Sequence, residues 1–354
     1  MSKKTTAHTL TREYCGVTLT RRKTSAYWER VSQWFAIIML TVFPFLMGTE
    51  GYYNITESRY MWFRVLTDAF LGVSLLILLG YLLLSKEQWR RRKAEGFQKF
   101  TVSQYIMIAY MLWATISSLV SPYRADTWLG QGRFEGLLTI FLYSLTFICL
   151  SFWAEYTDKY VCGLAIMATV LSVICLLQPL GVDPFTPEGY DFWTVRFFGT
   201  VGNVDCISGI GAMVIPALFC GFLLLESKWR YLCLTGLVLY FYLQLYVDVE
   251  SGKVGLLAAF AVLLPFLFTV PKRAFRALTA FGAMLVTYAI EKSFPLTQTG
   301  IEFAFSKKAL LALVLGAAAI VAGVLLGKKN ITFSLSEKKI RRIVTVIVLV
   351  VFLA

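Results

Sequence analysis

The stretch from Val195 to Gly211, Val-Arg-Phe-Phe-Gly-Thr-Val-Gly-Asn-Val-Asp-Cys-Ile-Ser-Gly-Ile-Gly, gathers polar residues and glycine in a chain that is otherwise mostly apolar. Arg196 is the only cation between Lys159 and Lys228. Gly199 and Gly202 allow the backbone to turn tightly or to approach a ligand closely. Asn203 and Asp205 stand where the next apolar run begins. There, side-chain oxygens cap free N–H groups and negative charge is favoured. An arginine, a turn and a helix N-terminus together could hold a phosphate, the arginine through its bidentate fork. The same residues also read as a loop that caps a helix, with Arg196 reaching for lipid headgroups.

The elements that must position these residues are membrane spans. The 354 residues are 58% hydrophobic and 16% charged, with a mean hydropathy of +0.67, whereas a soluble domain carries roughly 25% charged residues. Apolar runs able to cross about 30 Å of hydrocarbon recur near 32–49, 63–85, 104–121, 136–154, 160–181, 205–225, 231–247, 254–270, 277–290 and 309–327. An eleventh starts near Ile343 and stops at Ala354. At 1.5 Å per residue it is too short to span, so a fragment of a longer chain is expected. The expected fold is an all-α, polytopic transmembrane bundle of about ten complete spans plus a truncated eleventh. A basic cytoplasmic tail over 1–30 precedes the membrane domain over 31–354. The net charge of +13 is arranged for topology rather than for nucleic acid. With the N-terminus inside, the inner segments hold 25 of the 34 Lys and Arg. The densest inner cluster is Lys86 with Arg90, Arg91, Arg92 and Lys93.

This topology places three loops outside together: Tyr123–Glu135, Val182–Asn203 and Asp248–Lys253. Much familiar chemistry is excluded. The only histidine, His8, falls in the inner tail. No Gly-x-Ser-x-Gly elbow or His-Glu-x-x-His occurs, and Ser251-Gly252-Lys253 lacks the earlier glycine of a phosphate loop, Val247 standing there. Seven cysteines show neither metal spacing nor a disulfide framework. What remains outside is Arg124, Asp126, Arg133, Glu135, Asp183, Glu188, Asp191, Arg196, Asp205, Asp248, Glu250 and Lys253, with Trp128, Tyr190, Phe192 and Trp193 among them. Arginines suit a pyrophosphate, because the planar fork binds it bidentately and stays charged. The aromatics suit sugar faces or the membrane interface. Asp68, within the second run, is either a buried acid or an interfacial one.

Three stretches together resemble the O-antigen ligase and polymerase family. Ser121-Pro-Tyr-Arg-Ala-Asp-Thr-Trp-Leu-Gly130, with Arg133 and Gly136, is similar to that family's loop before the fourth helix. Arg196-Phe-Phe-Gly-Thr-Val-Gly-Asn203-Val-Asp205 resembles its Arg-x-x-Gly-Thr-x-Gly-Asn-Pro-Asn segment, with Val204 and Asp205 replacing the proline and second asparagine. Glu250-Ser-Gly-Lys253 falls where the family tends to show Ser-Arg-Gly after helix seven. The likeness covers about 100–350.

The resemblance implies a glycan ligase or polymerase of the cytoplasmic membrane. Its donor is an undecaprenyl-pyrophosphate-linked glycan, and its acceptor is a further glycan, a lipid or a protein at the outer face. Neither nucleotide sugar, metal nor other cofactor takes part, and membrane lipids are the remaining partners. Arg196, with Arg133 or Arg124, would bind the pyrophosphate. Gly199, Gly202, Asn203 and Asp205 would shape the loop and cap the helix. The family's catalytic histidine comes from a large late outward loop, so this chain would hold the donor-binding half. Other readings are a secondary transporter, expected to show inverted repeats and buried mid-membrane charge, and a cell-wall polymerase of the shape, elongation, division and sporulation type.

Overall fold

The computed structural model describes residues 9–14, 17–22, 26–83, 100–183, 185, 192, 198–268, 270–297, 300–329 and 336–353. Helices follow the apolar runs: α1 Ala26–Thr41, α2 Ile55–Leu82, α3 Val102–Val120, a short α4 Arg124–Leu129, α5 Leu137–Trp153 and α6 Asp158–Leu177. After these come α7 Val204–Leu224, α8 Trp229–Val247, α9 Glu250–Leu267, α10 Pro271–Ser293, α11 Lys307–Gly327 and α12 Glu337–Leu353. Short 3-10 turns span Phe43–Phe45 and Gln178–Leu180. The only strands among the described residues are two small antiparallel pairs. β1 Thr9–Tyr14 pairs with β2 Val17–Arg22, and β3 Leu296–Thr297 pairs with β4 Gly300–Ile301. Among the described residues, α2, α3 and α6 to α11 are the eight helices long and apolar enough to cross a membrane, and α5 is apolar but shorter. The protein is an all-α, multi-pass membrane bundle.

Local chemistry sets the ends of these helices. Pro44 stands in the 3-10 turn that follows α1. α2 begins at Ile55, ahead of its apolar run, because its polar start is helical too. Arg64 and Asp68 pair there at 3.1 Å across one turn, both partly exposed, so Asp68 is ion-paired on the helix surface and not packed inside the bundle. α3 starts with a capping box in which the Thr101 N–H donates to Gln104 Oε1 at 2.7 Å.

The chain divides into two compact units. One comprises residues 1–39, 46–48 and 54–157, the other 40–45, 49–53 and 158–354. In the first, α4 and α5 pack with α3, Gln104 donates to Ser151 Oγ at 2.7 Å, and Trp28 stacks on Trp153 at 4.6 Å. In the second, α7 is the enclosed helix, with Ile207, Ile215, Leu218 and Phe219 wholly buried. Helices α6, α8, α9 and α10 surround it. Successive helices of this unit alternate in direction. The Gln178 turn, the start of α7, the α8–α9 turn, the end of α10 and the β3–β4 hairpin therefore share one end of it. At the opposite end Arg276 donates to the carbonyls of Leu223 (2.7 Å) and Leu225 (3.3 Å), satisfying the last turn of α7.

α10 and α11 form a tight hairpin along glycines. A Cβ on Gly282 would lie 2.7 Å from the Gly316 carbonyl, and one on Gly316 2.7 Å from the Gly282 carbonyl. One on Gly323 would lie 2.6 Å from the Phe275 carbonyl. The helices meet backbone to backbone, as small residues permit in membranes. Gly327, four residues after Gly323, is outside this seam: its Cβ would come no nearer than 3.8 Å to Phe275.

Candidate functional site

The second unit carries the polar loop that leads into α7. Phe198, Gly199, Thr200, Val201 and Gly202 are all buried, while Asn203 and Asp205 are exposed. Gly199 (φ +49°) and Gly202 (φ +84°) adopt the left-handed conformation that glycine tolerates best. The Gly202 N–H returns to the Phe198 carbonyl at 2.8 Å, closing a tight turn. Asn203 Oδ1 then accepts the Asp205 N–H at 2.7 Å, the N-cap contact that starts α7.

Two residues outside the loop fix this turn. Gln178 Oε1 accepts the Gly199 N–H, and the Tyr52 hydroxyl donates to the Gly199 carbonyl. Gln178 is 1% exposed and Tyr52 5% exposed, so both contacts are shielded from water. Gln178 Nε2 donates to the Tyr52 hydroxyl at 3.2 Å and to Asp183 Oδ1 at 2.8 Å. Asp183 in turn accepts the Phe185 N–H at 3.1 Å. Burial pushes the Tyr52 phenol far above its ordinary range, so it is always a donor here. Thr200 adds a bond to the Pro44 carbonyl at 2.7 Å. Both backbone groups of Gly199 are thus consumed internally. The loop is a rigid mount, and a Cβ on Gly199 would run 2.7 Å from Cys175 Sγ.

Behind the mount, α7, α8 and α9 are locked by one side chain. Gln244 Nε2 donates to Ser208 Oγ at 2.6 Å, and the Tyr240 hydroxyl donates to the Ile207 carbonyl at 3.0 Å. Gln244 fills the notches left by Gly211 and Gly252, where any Cβ would collide with it. The glycine of Ser251-Gly252-Lys253 therefore serves packing. Lys253 contacts Asp248 at 2.6 Å and Glu250 at 2.8 Å, and this hydrogen bond draws the Asp248 carboxyl below the usual carboxylate range.

The sequence-derived candidates fall in different places. Arg196, with Glu188, Tyr190, Asp191 and Trp193, lies outside the described residues. Phe192 and Phe198, on either side of it in sequence, meet edge to face at 5.1 Å, and Phe198 meets Tyr246 of α8 at 5.9 Å. Gly199, Gly202, Asn203 and Asp205 come together at the start of α7. Arg124 and Arg133 belong to the first unit, both exposed, on α4 and in the turn after it. That turn closes on itself. The Gly136 N–H donates to the Leu129 carbonyl at 3.1 Å, and Thr139 Oγ1 to the Phe134 carbonyl at 2.6 Å. Phe134 takes a left-handed φ of +57°, unusual for a bulky residue, while stacked on Tyr60 at 4.5 Å.

Sequence reasoning passed over Tyr52 and Gln178. Gln178 sits at the end of an apolar run and Tyr52 in a short polar loop. The available signal was a lone amide inside a span, which membrane burial forces to find partners. Searches against protein-family models, curated proteins and solved structures give no match for this chain.

Proposed function

We propose that the chain is a membrane glycan ligase or polymerase of the O-antigen ligase type, with its N-terminus in the cytoplasm and ten complete spans. In this reading a polyprenyl-pyrophosphate-linked glycan is transferred to an acceptor hydroxyl at the outer face of the cytoplasmic membrane. The acceptor oxygen bonds to the anomeric carbon and releases its proton to water as the bond to the pyrophosphate oxygen breaks, and the departing pyrophosphate keeps the bonding pair. Arg196 stabilises the charge that develops there. The observation that supports this reading is the immobilised turn Phe198–Asn203, held by Tyr52 and Gln178, immediately after Arg196 in the Arg-x-x-Gly-Thr-x-Gly-Asn pattern. A positively charged group meets developing charge best when its support is fixed before the reaction.

The test is glycan transfer in cells or membranes by Arg196 variants of the full chain. Arg196→Ala is expected to lower transfer by about 10²–10³-fold, roughly 2–4 kcal/mol of transition-state stabilisation, at normal expression. Arg196→Lys recovers only part, because it keeps the charge and loses the fork. Near-normal transfer by the alanine variant rejects the assignment. A reporter active only outside the membrane checks the topology: it is expected to be active after Asp191 and silent after Lys93.

A further inference from the structure

Beside the β3–β4 hairpin, the ends of α10 and α11 leave a crevice of about 260 Å³, lined by Ile290, Phe294, Phe303, Phe305, Leu310 and Leu313. Ligand pockets for compact molecules run roughly 300–1,000 Å³, so this one suits a segment of chain. Its walls are the ends of two helices long and apolar enough to span a membrane, the depth at which lipid chains meet their headgroups. Phe303 and Phe305 are 72% and 71% exposed, forming an apolar rim that a membrane interface would cover.

The first turn of α11 is basic. α11 opens with Lys307 and Lys308, both exposed, with no acidic residue in its first turn. Cations at a helix N-terminus oppose the macrodipole, so these lysines do not serve the helix. Of the nearby carboxylates, Glu291 pairs with Lys292 at 3.1 Å, and Glu302, held by Thr297 Oγ1 at 2.9 Å, leaves Lys307 and Lys308 in excess. An anion above Lys307 and Lys308 would turn two unfavourable terms into favourable ones. We infer that this crevice holds one acyl chain of an anionic phospholipid, whose phosphate sits on Lys307 and Lys308. Charge complementarity selects the headgroup and the apolar walls select the chain. The site is separate from the Gly199 mount, and the inference does not depend on the proposed glycan transfer.

The experiment is native mass spectrometry of the purified full chain, delipidated in neutral detergent and titrated with phosphatidylglycerol or with phosphatidylcholine of the same chains. Preferential retention of phosphatidylglycerol is expected. Lys307→Gln with Lys308→Gln should weaken it by roughly 30-fold, about fivefold per lysine. Leu313→Trp, which fills the crevice and keeps both lysines, should weaken both lipids. The single lysine variants, at about fivefold each, replace the double variant if that one does not fold. Equal retention of the two lipids, or undiminished phosphatidylglycerol binding by a folded lysine or Leu313→Trp variant, overturns the inference. Displacement of phosphatidylglycerol by an equimolar polyprenyl phosphate also overturns it, by assigning the crevice to a different lipid.

Discussion

Replacing Gln178 by leucine tests whether the mount for the α7 loop is held as the structure indicates. The side chain makes three hydrogen bonds, one accepted from the Gly199 N–H and two donated, to Tyr52 and Asp183. Leucine fills a similar volume and makes none. The Gly199 N–H is then buried without a partner, which costs about 1–3 kcal/mol. Asp183 keeps the Phe185 N–H and is only half-buried, so its loss is smaller. A local destabilisation of roughly 2–4 kcal/mol follows, equivalent to about a 30- to 1,000-fold rise in the opening equilibrium. Hydrogen–deuterium exchange of the peptide over 198–203, in detergent or nanodiscs, reads this directly. The rise should be confined to that peptide, while the buried middle of α7 exchanges as before. Tyr52→Phe removes the donor to the Gly199 carbonyl and the acceptor for Gln178 Nε2, which keeps its bond to Asp183, and should give a smaller rise, near fivefold, from a net loss of about 1 kcal/mol. Unchanged exchange at 198–203 in Gln178→Leu would show that the turn is held by something else, and the pre-organisation argument for Arg196 would fall with it.

The glycine seam predicts a contrast: Gly316→Ala should lower stability by about 1–3 kcal/mol, because the obstruction is a backbone carbonyl that cannot rotate away. Gly327→Ala should leave the melting temperature nearly unchanged, since its Cβ would meet nothing closer than 3.8 Å. Arg276→Met keeps much of the aliphatic stem but strands the Leu223 and Leu225 carbonyls, so the end of α7 should lose about 1–2 kcal/mol and exchange faster there. Glu226 supplies a pH test. Burial alone would raise its carboxyl, but the hydrogen bonds from Lys272 and Arg276 outweigh this and hold it below its ordinary value. A depressed carboxylate stabilises the fold above its unfolded pKa, about 4.3, and that contribution fades as pH falls through the folded value. Melting temperature should therefore decline below about pH 4, and Glu226→Gln should flatten that limb; the effect is modest because the side chain is 65% exposed and screened.

The spans were legible because a membrane helix announces itself through some twenty apolar residues, and the observed helices begin and end within a few residues of most runs. Elements with weaker local signals were missed. Thr9–Arg22 contains alternating residues on either side of Cys15-Gly16, yet its basic character read as a tail, and the structure pairs it as β1 and β2. The short α4 lay hidden in a polar loop. The α10–α11 seam leaves no local signature: the touching glycines of α11 are Gly316 and Gly323, one heptad apart, while Gly327, four residues after Gly323, lies outside it. At the site, the turn and its Asn203 cap followed from residue type. The supports did not, because the pairing of Tyr52 with Gly199 joins residues 147 apart and leaves no trace in local pattern.

That separation has a consequence in time. At about 5–20 residues per second, Tyr52 is made roughly 7–30 s before Gly199. Gln178, only 21 residues ahead of Gly199, is late by comparison. The phenol must therefore pass through membrane insertion with a temporary partner, water or lipid headgroup, and exchange it when the α7 loop arrives. The turn can reach its final shape only as a late event of biogenesis. Expression of residues 158–354 without the preceding segment should yield an inserted helical bundle whose 198–203 turn, still held by Gln178, exchanges several-fold faster than in the full chain until a separately supplied piece carrying Pro44 and Tyr52 restores it.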